Sequence, residues 1–227
     1  MNHLRNIAAF LVLLLWSCVA LAAATVITVQ GDVMMTPAQG EPSKLAPGQR
    51  VETGASIKTS ADGDISLRFD DGQMLSLSRN SSFIINEYKF NPHKPEESSF
   101  VGSLLKGGLR AVTGIIGETN KKNVNFKVEV ATVGIRGTDF ALHYDRELYL
   151  AVQEGAVVAR NAGGEEVFDA KLQPYGVVAN AQTKPRHITK DQLPATVQGS
   201  IRVLQTHPLS DTIRKPNPKD PTCGDRR

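Results

Sequence analysis

From Thr25 to about Asn180, apolar and polar residues alternate with a period of two, the spacing of short strands with one buried and one wet face. Ile65, Leu67 and Phe69 alternate with Ser66 and Arg68, Asp70-Asp71-Gly72 turns, and Leu75 and Leu77 alternate with Ser76 and Ser78. After a turn at Asn80-Ser81, Phe83 and Ile85 resume the apolar face. The habit returns in Phe126, Val128 and Val130, in Phe140, Leu142 and Tyr144, and in Leu148, Leu150 and Val152. Asp62-Gly63, Asp71-Gly72 and Gly163-Gly164 suit tight turns. Polar stretches at 89–100, with Pro92 and Pro95, and at 117–123 predict surface loops.

A short motif recurs where strands begin: Gln30-Gly31-Asp32-Val33, Lys106-Gly107-Gly108-Leu109 and Glu154-Gly155-Ala156-Val157. Its spacing is irregular, so it predicts a reused corner and not a fixed-period repeat. Glycine inside strand sequence marks a bend where the chain changes layers. The expected fold class is all-β, with many short strands in a sandwich-like or flattened β-solenoid body; periodicity does not choose between the two. Past Lys184 the period changes. Thr189 and Gln192 match a capping box, and Leu193, Val197, Ile201 and Leu204 share one helical face. The organisation expected is 1–24 as a signal peptide, 25–183 as the β body, 184–206 as a short amphipathic helix, and 207–227 as a disordered, proline-bearing tail. The helix stripe suits packing on the body, and a partner groove is the alternative.

The first segment belongs to targeting. Arg5 precedes an unbroken apolar run, Ile7 to Leu15, and the stretch closes in Ala22-Ala23-Ala24, as a signal peptide does. Cleavage is expected after Ala22 or Ala24, giving a periplasmic protein with no transmembrane span. A retained anchor over 7–24 is the competing reading. Cys18, in Leu15-Trp16-Ser17-Cys18, is a candidate lipidation site, which would make the protein a lipoprotein on a short tether. With cleavage at the alanines Cys223 is the one cysteine left, so no disulfide within the chain supports the fold. Roughly 200 mature residues suffice for one core.

The chain carries +3 overall; residues 184–227 hold nine Lys or Arg against four Asp, and Arg5 is the single charge of the leader. The body between them is therefore net −3. The basic balance reports the tail, which suits an acidic protein face or anionic lipid, and nucleic acid is not expected as a partner.

No catalytic constellation stands out. His93, His143, His187 and His207 are isolated, without His-x-His or Cys-x-x-Cys, so neither a metal site nor a cofactor is expected. His143 alternates onto the face opposite Leu142 and Tyr144 and is expected to be solvated. There is no Gly-x-Ser-x-Gly elbow and no phosphate loop. The pairs Asp70-Asp71, Glu96-Glu97 and Glu165-Glu166 fall in turns or loops. The expectation is that the protein is not an enzyme.

The most distinctive stretch is Ala131-Thr132-Val133-Gly134-Ile135-Arg136-Gly137-Thr138-Asp139-Phe140. It resembles the signature of the FecR-domain family, with Val133 where many members have proline. Leu45-x-x-Gly48, Thr53-Gly54-Ala55-x-Ile57-x-Thr59, Leu67-x-Phe69-x-Asp71-Gly72, Leu75-x-Leu77 and Glu154-Gly155-Ala156-Val157 are similar to further family features, in order. Lys106 to Gly114 looks like a segment of stand-alone exported members. The resemblance covers about 26–160 and implies a non-catalytic all-β envelope domain. In signalling members that domain is the periplasmic part of an anti-sigma regulator. Only six residues precede the apolar run here, so direct anti-sigma activity is not expected.

The signature itself has two readings. Gly134, Ile135, Arg136, Gly137, Thr138, Asp139 and Phe140 build a bend, with Arg136 and Asp139 as a local ion pair or bonded to carbonyls, or they touch a partner. Two function classes follow: a protein-interaction or scaffold module with an envelope protein partner, or a peptidoglycan-binding module. Sugar sites favour exposed aromatics. The mature chain lacks tryptophan, leaving Tyr88, Tyr144, Tyr149 and Tyr175, which favours protein interaction. Tyr149, opposite Leu148 and Leu150, is the expected exposed platform if glycan binds.

Overall fold

The computed structural model describes residues 22–206. Cys18, the tail from His207 and all of the expected signal segment but its last three residues lie outside the described residues. The strands, numbered in chain order, form two sheets that share one long member. The first sheet runs β4 (Arg50–Glu52), β1 (Ala22–Gln30), β6 (Asp64–Phe69), β7 (Met74–Leu77), the second half of β9 (Ser99–Val112), β12 (Asp139–Tyr144), β13 (Leu148–Glu154), β16 (Tyr175–Val178) and β17 (Arg186–His187). The second runs β3 (Ser43–Lys44), β2 (Val33–Thr36), β5 (Ser56–Thr59), β8 (Ser82–Lys89), the first half of β9, β10 (Val124–Val128), β11 (Ala131–Ile135), β14 (Ala156–Asn161) and β15 (Gly164–Asp169). Every pairing is antiparallel except β9 with β10.

The sheets enclose one core. Ile65, Leu67, Leu75 and Leu77 from the first meet Ile57, Phe83, Ile85, Phe100 and Leu104 from the second, all fully buried. The period-two pattern is what makes this sandwich, because alternate side chains leave each strand on opposite faces. An aromatic ladder runs through the core. Phe69 of β6 meets Phe100 of β9 edge-on at 5.2 Å, Phe100 meets Phe126 of β10 at 5.2 Å, and Phe126 meets Phe140 of β12 at 5.1 Å.

The three glycine corners are where the chain changes sheets. Gly31 joins β1 to β2, Gly107 bends β9 from one sheet into the other, and Gly155 joins β13 to β14; all three have positive φ. Each also abuts a neighbouring crossing. At Gly155, φ is +71° and an added Cβ would lie 1.9 Å from the Gly137 carbonyl oxygen, in the β11–β12 crossing. Only glycine combines that backbone with that approach.

Two helices follow. Five-residue α1 (Ile115–Thr119) bridges β9 and β10, and α2 (Ala195–Thr206) ends the described chain. Thr189 and Gln192 form a reciprocal capping box around the 3-10 turn Lys190–Gln192 just ahead of α2. Leu193, Val197, Ile201 and Leu204 are buried with Ala141, Ala151, Val177 and Ile188 in a second cluster on the outer face of the first sheet. Each of the four helix side chains contributes about 1.5–3 kcal/mol relative to exposure. No helix among the described residues is long and apolar enough to cross a membrane.

Helix α2 overturns two expectations about that face. His143 is half-buried rather than fully solvated: α2 packs against it, and its Nδ1 lies 3.1 Å from Ser200 Oγ. Tyr149 does point away from Leu148 and Leu150, but it packs half-buried against the second cluster and donates to Glu147 Oε2 at 2.5 Å. Alternation fixed the face of each residue; a helix some fifty residues later covers it.

Candidate functional site

The signature divides into a structural part and an outward part. Thr138 is buried and knotted to Thr113: its N–H donates to Thr113 Oγ1 at 2.7 Å, and Thr113 Oγ1 donates to the Thr138 carbonyl at 2.8 Å. Phe140 is in the aromatic ladder and Ile135 in the core. Gly137 turns the chain at φ +70°.

Asp139 has a different partner from the one its neighbourhood suggests. Arg110 donates Nε to Asp139 Oδ1 at 2.8 Å and Nη2 to Oδ2 at 2.6 Å, a bidentate pair. The two side chains are 6% and 14% exposed. Arg110 Nη1 also donates to the Leu204 carbonyl at 3.2 Å, so the same guanidinium ties the end of α2 to the sheet. The expected local pairing of Arg136 with Asp139 is thus replaced by a link between two segments 29 residues apart. β12 runs antiparallel to β9 with Ala141 opposite Arg110, which brings Asp139 within its reach.

Arg136 instead stands exposed on the other side of the sandwich. It lies on the rim of a hollow of about 480 Å³ on the outer face of the second sheet, lined by Lys121, Lys122, Asn125, Gly134, Arg136 and Arg160 together with Ile135 and Val158. The ladder explains the shape. Gly134 of β11 is paired with Asn125 of β10 on one side and Val158 of β14 on the other. A side chain is missing from the middle of that row, and a Cβ added there would meet only Asn125 Oδ1, at 3.8 Å. Lys121 and Lys122, on the 3-10 turn Lys121–Asn123, stand exposed at one side. Arg160 stands at another, where its Nε donates to Glu165 Oε2 at 2.7 Å. Lys121, Lys122 and Arg136 carry no ion pair among the described residues. This hollow was not visible in the sequence, because its cations span some forty positions and meet only through the order β10-β11-β14.

Among the described residues, the paired carboxylates, the histidines and the tyrosines do not converge on one site. Asp70 holds Arg50 in a bidentate pair at 2.8 and 2.9 Å. Its neighbour Asp71 is 1% exposed and accepts the N–H groups of Gln73 and Ile116, each at 3.2 Å. Burial raises the Asp71 carboxyl above the usual carboxylate range, against those bonds. Glu97 pairs with Lys94, Glu165 with Arg160, and Glu166 with Lys184 and His187. No cluster of His, Cys, Asp and Glu that could hold a metal occurs among the described residues. His93 is exposed in the loop between β8 and β9, and His187 lies against Phe168 at 4.8 Å. The tyrosines are occupied too. Tyr88 OH accepts the Asp71 N–H at 2.9 Å, Tyr144 OH donates to Glu129 at 2.7 Å, and Tyr175 packs with Tyr149 on the second cluster.

Residues 55–158 match the model of the family described as FecR protein. The matched segment runs from just before β5 into β14 and includes the whole signature. No curated protein matches the chain. Among solved structures, two crystal structures are similar, each of a candidate anti-sigma factor from Parabacteroides distasonis ATCC 8503. One is 13% identical with a TM-score of 0.47, covering 59% of this chain and 59% of that one. The other is 14% identical with a TM-score of 0.46, covering 63% of this chain and 65% of that one. In both cases less than two thirds of the solved chain is spanned.

Proposed function

We propose, for a chain that carries a FecR-family segment over residues 55–158, an exported, non-catalytic module with a regulatory, signalling-related role, which docks a protein partner of the cell envelope. The docking surface is the outer face of the second sheet around Arg136. One observation carries this reading: two residues of the signature, Gly134 and Arg136, leave the bend that the others build and line a cationic hollow. On the opposite face α2 already covers the part over β12, β13 and β16, whereas Lys121, Lys122 and Arg136 stand exposed beside the second sheet. The glycan alternative needs an exposed aromatic platform, and each of the four tyrosines is half-buried or buried.

The working location is the periplasm, reached through the leader. Of the two cleavage points, the one after Ala22 fits the fold better. Ala23 and Ala24 are fully buried in β1, and the Ala23 carbonyl accepts the Asp70 N–H at 3.3 Å. Cleavage after Ala24 would strip both from the sheet.

The test is capture in cells, with the mature chain crosslinked and its partners identified by mass spectrometry, beside a Lys121→Glu/Arg136→Glu variant. The expected result is one envelope protein recovered with the natural chain and lost with the variant. Recovery of peptidoglycan fragments alone, or a partner equally bound by both chains, would reject docking at this face.

A further inference from the structure

Resting on that reading, we propose that the hollow beside Arg136 receives an extended, carboxylate-rich segment of the partner protein, held by Lys121, Lys122, Arg136 and Arg160 over the bare backbone of Gly134. The charge is local and runs against the body around it. Residues 25–183 are net −3, yet four cations line one hollow. Like charges gathered on a surface repel one another, and an anionic occupant removes that cost.

The geometry selects the form of the occupant. The Asn125–Gly134–Val158 row crosses three neighbouring strands, a span of roughly 10 Å at about 4.8 Å per strand, or about three residues of extended chain. The backbone of β11 is already paired on both sides, so a visiting strand cannot add to this sheet here. Recognition falls to the side chains on the rim. The guanidinium fork suits carboxylates, and Arg160 already holds one, that of Glu165 at 2.7 Å, with both side chains more than half exposed. An incoming carboxylate exchanges with Glu165 at a site shaped for it.

A membrane surface fits less well. The cations line a depression that a flat headgroup layer cannot enter, and the net negative body is repelled by anionic lipid. A small free anion would leave most of the 480 Å³ unfilled.

The probe is a fluorescein-labelled octaglutamate peptide, titrated by anisotropy onto the full mature chain at about 0.05 M and 0.3 M salt, since screening strengthens over that range. Three variants are measured beside it: Lys121→Glu/Arg136→Glu, Gly134→Leu, and Lys171→Glu as a remote exposed control. The expected result is salt-sensitive binding, at least about tenfold weaker in the double reversal, as fits loss of rim charges. Gly134→Leu, which fills the floor without changing charge, should weaken it too, at an unchanged thermal midpoint. Lys171→Glu should match the natural chain. Equal binding by all four chains assigns the peptide to the basic tail and overturns the proposal. So does binding of phosphatidylglycerol vesicles, but not of the peptide, that the double reversal abolishes. If cellular capture depends on this face while octaglutamate does not bind, the ligand chemistry fails and the docking reading stands.

Discussion

Replacing Asp139 with asparagine keeps the shape of the side chain and removes the charge that faces Arg110. The guanidinium is 6% exposed and held by two bonds of 2.6 and 2.8 Å, so it stays buried without its counterion. Breaking a buried pair on one side costs about 3–5 kcal/mol. Asp139 keeps some access to water and asparagine retains one acceptor oxygen, which puts the expectation at the lower end, about 3 kcal/mol. Removing both charges as Arg110→Met/Asp139→Leu leaves no stranded ion. The Leu204 carbonyl then loses its donor, a cost of about 1 kcal/mol. The double variant should therefore be more stable than Asp139→Asn by about 2 kcal/mol. Urea unfolding of the mature chain reads this out. At a slope of about 2–3 kcal/mol per molar, Asp139→Asn should lower the midpoint by about 1 M without changing the slope. Hydrogen exchange should quicken in the last turn of α2, because Arg110 also tethers Leu204. An Asp139→Asn loss below about 0.5 kcal/mol, the scale of an ordinary surface change, would refute the reasoning, as would a double variant less stable than the single.

Two further outcomes follow from the same geometry. Gly155→Ala should unfold or destabilise the chain by well over the roughly 1–2 kcal/mol of a left-handed alanine, because its Cβ also strikes the Gly137 carbonyl; Gly134→Ala, with open space above it, should stay within about 0.5 kcal/mol, and a calorimetric ranking in the reverse order contradicts the corner account. Burial beneath α2 holds the His143 imidazole below the usual histidine range, with Asp145 opposing. The unfolded chain therefore takes up the proton first, near about pH 6.5, so stability is full above that pH and declines as pH falls toward the folded value. The drop in urea midpoint between about pH 7.5 and 5.5 should shrink in His143→Asn; an identical drop would mean that His143 is not the group responsible.

The sequence made the layers legible and left their pairing hidden. Alternation located the strands because burial on one face of a sheet has a period of two, and the Gly31, Gly107 and Gly155 corners were visible because a positive φ restricts residue type. The capping box and the 193–204 stripe announced α2 for similarly local reasons. The cover over His143 and Tyr149 depends on where α2 docks, which periodicity does not carry. Arg110 and Asp139 lie 29 positions apart, and only the β9–β12 register joins them. The hollow was hidden for the same reason: in the second sheet β11 has β14 as its neighbour, and the β12–β13 hairpin between them belongs to the first sheet.

In the proposed mode of docking, the free face of the second sheet, and not the tail or the first sheet, meets the partner. Photo-crosslinking amino acids placed singly at Asn125, Arg136, Arg68 and Lys215, followed in living cells, test it most directly. Asn125 and Arg136 line the hollow, Arg68 is exposed on the first sheet, and Lys215 is in the tail. Adducts to one envelope protein are expected from Asn125 and Arg136, and none from Arg68. Adducts from Lys215 or Arg68 alone would contradict it.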